Sequence, residues 1–459
     1  GVAGCFLTSG TANASGCLFQ GNAAQSRAGA IHCNRIGTLE NCRFETNRCV
    51  GASDQRGGAV YCESNTSSDA MTNVQFIGNY AQSTSGSSAF GGAIWGYAFG
   101  PFTNCEFRSN YATGGNAYGG AIWCYGATWN TCTFASNTAT TPAGTAEGGA
   151  VRIDRGYTDQ AQFANCTFSN NNTDGSSTRG GAIYRYGYNL GCTGCTFVGN
   201  SAQDGAGAYY TWDGNDYPVS FSDCRFEKNT GMRGAGLHVS CVRRLNVSNC
   251  VFNLNLAFDA GAGIWLNGYC MYSSQLANST FYGNIANQGG AVWMNNCGCC
   301  WQLPVSSCLF ASNVATLGGA FYSPNGSCTY PSVSSSTFCG NSPTDFEGYW
   351  QDSGANIFGS GTDCNANGVC DGADIGLGTS ADCNANGIPD ECEVASGSVN
   401  DINSNGIPDG CEADCDSDGI PDAYAVANQL VPDCNANGQP DQCDIANGSS
   451  QNNNGNTVP

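Results

Sequence analysis

The chain has 459 residues, and its composition is unusual: 65 are Gly, 30 are Cys and only 15 are Lys or Arg. This usage is not that of an ordinary helical enzyme, so we expect little helix. The charge is uneven, because residues 361–459 carry 17 of the 36 acidic residues and no Lys or Arg. Such an acidic segment repels nucleic acid, which excludes DNA and RNA as partners.

The first 360 residues contain an internal repeat. Phe-x-x-Asn occurs twelve times between Phe19 and Asn341, and Gly-Gly-Ala or a close variant recurs between the copies. Each period of about 29 residues contains short alternating segments separated by Gly, Asn and Ser, a pattern typical of strands joined by turns. We therefore predict an all-β fold: residues 1–360 form a right-handed parallel β-helix of about twelve rungs.

Two residue types of the repeat are predicted to form inner columns. In Cys-x-Phe, as at Cys105 and Phe107, both side chains share one face, and the large apolar ring faces the lumen. Neighbouring cysteines are then either paired in disulfides or stacked as buried thiols, with equal weight. The Asn of Phe-x-x-Asn is predicted to hydrogen-bond from rung to rung. The column contains Cys17, Cys42, Cys105, Cys132, Cys166, Cys195, Cys224, Cys250 and Cys308.

The paired Gly-Gly-Ala-Ile/Val and Phe-x-x-Asn repeats of residues 17 to 341 resemble those of the polymorphic outer-membrane proteins, autotransporter adhesins built on parallel β-helices. The resemblance implies a surface-displayed protein used in adhesion. The thirty cysteines agree with an oxidising compartment. Since the chain starts at Gly1 and has no apolar stretch of membrane-spanning length, we expect a secreted or cell-surface protein whose export signal has been removed.

The residue that follows the apolar position after Gly-Gly-Ala is predicted to point outward, and it is often aromatic. A contiguous stripe of large rings usually marks a contact surface for protein or glycan. The alternative, given about half the weight, is that the stacked rings cover one another. The predicted contact face contains Tyr61, Trp95, Trp123, Tyr184, Tyr210, Trp265, Trp293 and Tyr322.

We predict no catalytic residues. His32 and His238 lie seven rungs apart and cannot share an acid–base site. The group closest to a polysaccharide lyase site contains Arg152 and Asp154, which a solvated charged turn explains more simply. We interpret the segment of Cys297, Cys299 and Cys300 as disulfide-bonded rather than zinc-binding.

Residues 361–448 repeat Asp-x-Asn/Asp-x-Asn/Asp-Gly five times, which predicts EF-hand-like calcium-binding loops with little regular structure. Ligands are expected at positions 1, 3, 5, 7 (backbone carbonyl), 9 and 12. The fourth loop has Ala425 at position 12 and is expected to bind weakly or to borrow a ligand. The predicted Ca²⁺ ligands are Asp363, Asn365, Asn367, Val369, Asp371 and Asp374; Asp382, Asn384, Asn386, Ile388, Asp390 and Glu393; Asp401, Asn403, Asn405, Ile407, Asp409 and Glu412; Asp414, Asp416, Asp418, Ile420 and Asp422; and Asp433, Asn435, Asn437, Gln439, Asp441 and Asp444.

The five loops, with Asp at position 9 throughout, resemble dockerin and thrombospondin type 3 repeats. Eight interleaved cysteines are expected to substitute, together with the metal, for a core that this segment cannot build. Residues 449–459, rich in Asn, are predicted to be a flexible tail or an interaction arm.

The sequence favours a non-enzymatic extracellular structural protein. It would be a subunit that assembles head-to-tail with itself, or an adhesin that binds other surface proteins. A calcium-dependent carbohydrate-binding or dockerin-like docking protein is the main alternative, with glycans as possible ligands. A polysaccharide lyase or hydrolase is the third.

Overall fold

The computed structural model describes residues 6–63, 70–97, 100–155, 161–212, 217–268, 273–296, 302–324, 330–359, 363–365 and 370–448. The chain divides into two compact units, Gly1–Gly359 and Ser360–Pro459. Predictions for Cys297, Cys299, Cys300, Asn367, Val369 and residues 449–459 lie outside the described residues.

The first unit is a parallel β-helix, because short strands pair in parallel with their equivalents in neighbouring rungs. Its first sheet has 24 strands. They are Phe6–Ser15, Ile31–Glu40, Val60–Cys62, Ala70–Thr72, Ile94–Gly96, Phe102–Thr103, Ile122–Cys124, Ala127–Asn130, Val151–Ile153, Ala161–Ala164, Ile183–Tyr186, Leu190–Thr193, Ala208–Thr211, Pro218–Ser222, Leu237–Ser240, Arg244–Ser248, Ile264–Gly268, Gln275–Ala277, Val292–Asn296, Gln302–Ser306, Phe321–Tyr322, Tyr330–Ser334, Phe346–Glu347 and Gln351–Asp352.

The second sheet has 13 strands, one for each Phe-x-x-Asn copy and a last one without the motif. They are Leu18–Gln20, Arg43–Glu45, Gln75–Ile77, Glu106–Arg108, Thr133–Ala135, Thr167–Ser169, Thr196–Val198, Arg225–Glu227, Val251–Asn253, Thr280–Tyr282, Leu309–Ala311, Thr337–Cys339 and Ile357–Gly359. The twelve predicted copies are therefore in register along one sheet.

A third face consists of three smaller sheets. The six-stranded sheet contains Ala23–Ala24, Arg48–Gly51, Tyr80–Ser83, Tyr111–Thr113, Thr138–Thr140 and Asn172–Asp174. The five-stranded sheet contains Gln55–Arg56, Ala89–Phe90, Ala117–Tyr118, Thr145–Glu147 and Ser177–Arg179, and Thr230–Arg233 pairs with Leu256–Ala260. In ten rungs a glycine with positive φ, for example Gly119 with φ +69°, precedes the first of the two first-sheet strands and turns the chain between these faces, where a Cβ atom would meet backbone atoms.

The Phe and Asn columns are confirmed. From Phe19 to Phe338 the rings stack with centroids 4.6–5.0 Å apart, and eleven of the twelve are fully buried. Each Asn amide nitrogen donates to the side-chain oxygen of the next Asn at 2.7–3.0 Å. The nine cysteines of the column are thiols, and all but Cys17 are buried.

The second unit has short helices that each begin at position 9 of a predicted calcium loop. The α-helices are Asp371–Leu377, Asp390–Ser396, Asp422–Ala427 and Asp441–Asn447, and a single 3-10 turn spans Asp409–Cys411. In four of the five loops the residue immediately before the helix is Pro, which suits the first turn of a helix because the missing N–H has no partner there.

Candidate calcium loops and the outer aromatic column

The predicted loops fold back on themselves around their first ligand. In the second loop, Asp382 accepts hydrogen bonds from the backbone N–H groups of Asn386 at 3.1 Å and Gly387 at 2.8 Å. The third, fourth and fifth loops repeat this pattern from Asp401, Asp414 and Asp433. The glycine at position 6 has φ of +85° to +87° in these four loops, so the sharp turn favours the residue without a Cβ atom.

The acid at position 12 lies opposite positions 3 and 5. Glu393 accepts hydrogen bonds from the amide nitrogens of Asn384 at 2.9 Å and Asn386 at 2.8 Å. Glu412 and Asp444 make the same contacts in the third and fifth loops. The side chains of positions 3, 5 and 12, three of the expected ligand positions, are thus in contact in these three loops.

The first and fourth loops differ from this arrangement. In the first, Asn365 reaches Asp374 at 3.4 Å, and positions 5 and 7 lie outside the described residues. In the fourth, Ala425 is buried at position 12, and carboxylate oxygens of Asp414, Asp416 and Asp422 lie within 4.8 Å of one another. Desolvation and the neighbouring carboxylates of Asp414 and Asp418 raise the pKa of Asp416.

Position 9 has a role that sequence reasoning missed. Its carboxylate accepts a hydrogen bond from the backbone N–H of position 2 in all five loops, at 2.7–3.3 Å. These acids are Asp371, Asp390, Asp409, Asp422 and Asp441, and all are buried. The contact fastens the start of each loop to the start of its helix. Asp at position 9 in all five loops was the available signal, and it was interpreted as a ligand.

Three disulfides join successive loops: Cys364–Cys392, Cys383–Cys411 and Cys415–Cys443. Each bond connects position 2 of one loop with position 11 of the next loop, 28 residues away. These sulfurs lie beside the acids of position 9, but a disulfide sulfur is not a thiolate and does not serve as the metal ligand. Cys434, at position 2 of the last loop, is an exposed thiol.

The outer aromatic column is buried, which favours the alternative that the stacked rings cover one another over an open contact face. Trp95 and Trp123 are 5% exposed, and Tyr61, Tyr184 and Trp265 are also buried, whereas Trp293 and Tyr322 are half-buried. The rings stack on one another, with 5.2 Å between the centroids of Trp95 and Trp123. The residues just before the glycine turn cover them: Phe90 packs edge-on against Trp123, and the Arg56 guanidinium lies 5.5 Å from the Trp95 ring.

Tyr210 does not belong to this column. It pairs in register with Arg185 and Val239, is 1% exposed and lies in the main core. Tyr209 is the outward residue, between Tyr184 and His238. The variant Gly-Ala-Gly-Ala of this rung places Ala208 at the inward apolar position, one residue earlier than the prediction assumed.

The charged group near Arg152 is not a solvated turn. Glu147 is 4% exposed, and its carboxylate receives Arg152 at 2.6 Å and Arg179 at 3.2 Å. Arg152 also pairs with Asp154 at 3.0 Å. Burial raises the pKa of Glu147 while the two arginines oppose this shift. Both oxygens of the one deeply buried acid in this group are therefore engaged in ion pairs, an arrangement typical of a structural network.

A family model described as "Right handed beta helix region" matches residues 92–285. This unit of the chain is a right-handed parallel β-helix. The match agrees with the parallel rungs and with the in-register Phe and Asn columns, and it identifies the fold without an activity. None of the curated proteins compared with the chain matches it. Within the described residues, no helix has the length and apolar character needed to cross a membrane.

Proposed function

We propose that this is an extracellular structural protein in which a rigid β-helical unit is combined with a calcium-binding, disulfide-linked unit. It would act as a self-assembling subunit or as a surface adhesin. The contacts of the position-12 acid with the side chains of positions 3 and 5 in the second, third and fifth loops are the observation that carries the proposal.

Charge supports calcium as the ligand of these loops. Glu393 is 5% exposed, and residues 361–459 contain 17 acidic residues and no Lys or Arg. A buried carboxylate without a positive partner is costly, and a bound divalent cation removes that cost. Oxygen donors from carboxylates, amides and backbone carbonyls are those that Ca²⁺ prefers.

The first rung supports assembly. Phe6–Ser15 pairs with Ile31–Glu40 along one edge, and it is the terminal strand of the first sheet as described. An unpaired strand edge offers backbone donors and acceptors to a second chain. At the other end, Phe346 and Trp350 stack at 4.1 Å beneath the last Phe of the motif column, Phe338, and fill the lumen. The proposal places head-to-tail addition at the Phe6–Ser15 strand, with calcium ordering the second unit of the subunit that is added.

The proposal includes no catalysis. The ion pairs of Glu147 and the burial of His238 support this, because neither group is presented to a substrate. His238 lies between the stacked rings of Tyr209 and Trp265 in the outer column, whose burial argues against a glycan platform there.

Electron microscopy of the purified chain tests assembly. With Ca²⁺ present we expect filaments, and with chelator or after deletion of residues 361–459 we expect single particles. The Glu393→Gln/Glu412→Gln variant, which keeps every backbone contact of the loops, should need more Ca²⁺ for assembly. A monodisperse monomer at high concentration with Ca²⁺ would reject self-assembly and leave the adhesin.

A docking role for the second unit is the other candidate. Ile388 and Ile407, both at position 7 of their loops, are 46% and 45% exposed, and Leu430 is 57% exposed. Exposed apolar side chains at repeated positions favour a protein partner. Docking would be favoured over assembly if the chain bound a surface protein, lost that binding when Ile388 and Ile407 were replaced, and formed no filaments.

A further inference from the structure

Inside the β-helix, thiols occupy the same position on six consecutive rungs. Cys105, Cys132, Cys166, Cys195, Cys224 and Cys250 occupy the same column position on six consecutive rungs and are thiols 1–2% exposed. Backbone hydrogen bonds such as Thr133 N–H to the Cys105 carbonyl, at 2.9 Å, hold the rungs in register. Each thiol donates to the backbone carbonyl oxygen of the residue two positions earlier, at 3.2–3.5 Å, so the six sulfurs have the same orientation on successive rungs.

The register disfavours disulfides between these neighbours. The Phe residues two positions after these cysteines lie on the same rungs, and the centroids of neighbouring Phe rings are 4.6–4.9 Å apart. This distance is the spacing between the rungs. In-register parallel strands hold their Cβ atoms at about the strand spacing of 4.8 Å, whereas a disulfide needs about 3.8 Å. Closing that gap would require pulling rungs together against the Phe stack and the Asn column, whose bonds are already 3.0 Å. The column therefore stays reduced while the cysteines of the second unit pair.

The same spacing suits a metal ion between two sulfurs. A thiolate bond to a d10 metal ion is about 2.3 Å, so two collinear bonds span about 4.6 Å. Thiolates select soft cations, of which Cu(I) is the principal biological example. We propose that the run from Cys105 to Cys250 binds Cu(I), with each ion two-coordinate between the sulfurs of neighbouring rungs.

Charge balance is compatible with a buried site. As six S–H groups lose their protons to solvent, five Cu(I) ions enter the five intervals, and inner thiolates bridge two ions. The full stack then changes by one negative charge, so little charge is buried. Burial raises the pKa of the Cys308 thiol in the same column to about 12, so a buried column thiol keeps its proton at neutral pH when no metal ion replaces it.

The chain provides its own conservative replacement. Ser279 and Ser336 occupy the column, and their hydroxyl groups accept the backbone N–H of Cys250 and Cys308 at 3.1 Å. A Cys→Ser change in the column thus preserves its hydrogen bonds. The double variant Cys166→Ser/Cys195→Ser keeps two of the five pairs of neighbouring cysteines. Cys308 lies between the two serines and outside the run, so Cys308→Ser keeps all five pairs.

The test uses the full chain purified under reducing, anaerobic conditions. Thiol titration after denaturation establishes that the column is reduced. The chain is then loaded with Cu(I), challenged with a Cu(I) chelator and desalted, and bound copper and Cu(I)–thiolate luminescence are measured. We expect Cys166→Ser/Cys195→Ser to bind about three fewer copper ions than wild type, and Cys308→Ser to match wild type. Equal copper in the two variants, with native circular dichroism, or a column found oxidised, would overturn the proposal.

Discussion

The two units reach order by different means. In the β-helix, each rung repeats the same inward side chains, so the Phe rings and Asn amides of one rung pack against copies of themselves. In the second unit, buried apolar side chains are sparse, and the contacts that recur are carboxylates on backbone N–H groups and disulfides between successive loops. Repetition builds a continuous core when the repeat unit is apolar and needs cross-links when it is acidic.

The largest expected effect is the unfolding of the second unit while the β-helix stays folded. Reduction of the three disulfides, each of which contributes about 3–4 kcal/mol, together with chelation should unfold the second unit. The β-helix should keep its transition, because its column cysteines are already thiols. Calorimetry of the full chain with and without reductant and chelator measures both transitions. A single transition that moves as a whole would contradict independent stabilisation.

The second effect concerns the buried outer rings of the β-helix. Trp123→Ala removes a 5% exposed ring that stacks on Trp95 and is covered by Phe90. We expect the free energy of unfolding to fall by about 3–5 kcal/mol. Trp293→Ala, at a half-buried position of the same column, should cost less. Chemical denaturation of both variants measures the difference, and an unchanged stability of Trp123→Ala would restore the contact-face interpretation.

The sequence predicted the position of a side chain correctly where that side chain packs against its own equivalent in the next repeat. Phe-x-x-Asn fixes both inner columns because each residue meets its own equivalent one period away. Burial of Trp95 could not be inferred in this way, because Arg56 lies over its ring from another face, across a glycine turn. The shift from Tyr210 to Tyr209 arose where the glycine motif is irregular, and a repeat places residues only as reliably as its own spacing.

A third effect separates the two kinds of acid in the calcium loops. Glu393→Gln should weaken Ca²⁺ binding about tenfold, equivalent to about 1.4 kcal/mol, and leave the stability of the calcium-free chain nearly unchanged. Asp390→Ala removes the acceptor of the Cys383 N–H, so it should cost about 1 kcal/mol with or without Ca²⁺. Calorimetric Ca²⁺ titration and thermal melts distinguish the two. If Asp390→Ala also weakened Ca²⁺ binding and left the stability of the calcium-free chain unchanged, the acid at position 9 would be a Ca²⁺ ligand.

The smallest effect is a pH dependence confined to the β-helix. His238 is buried between Tyr209 and Trp265, with ring centroids at 4.5 and 4.1 Å, and burial together with the Arg233 charge lowers its pKa well below the usual value. The Asp204 carboxylate, 4.0 Å away, is engaged by Arg233 at 2.8 and 2.9 Å. The folded chain therefore keeps His238 neutral at a pH where the unfolded chain binds a proton.

Because the folded pKa lies below the unfolded value of about 6.5, stability is fully present above pH 6.5 and falls as the pH drops below it. One proton gives a slope of at most about 1.4 kcal/mol per pH unit. His238→Gln removes this slope, while all other titrating groups stay the same. Urea denaturation of both chains at pH 7.5, 6.5 and 5.5 isolates the contribution as the change in their difference. Parallel curves would mean that His238 becomes protonated without leaving the stack, and that the ring column tolerates a buried charge.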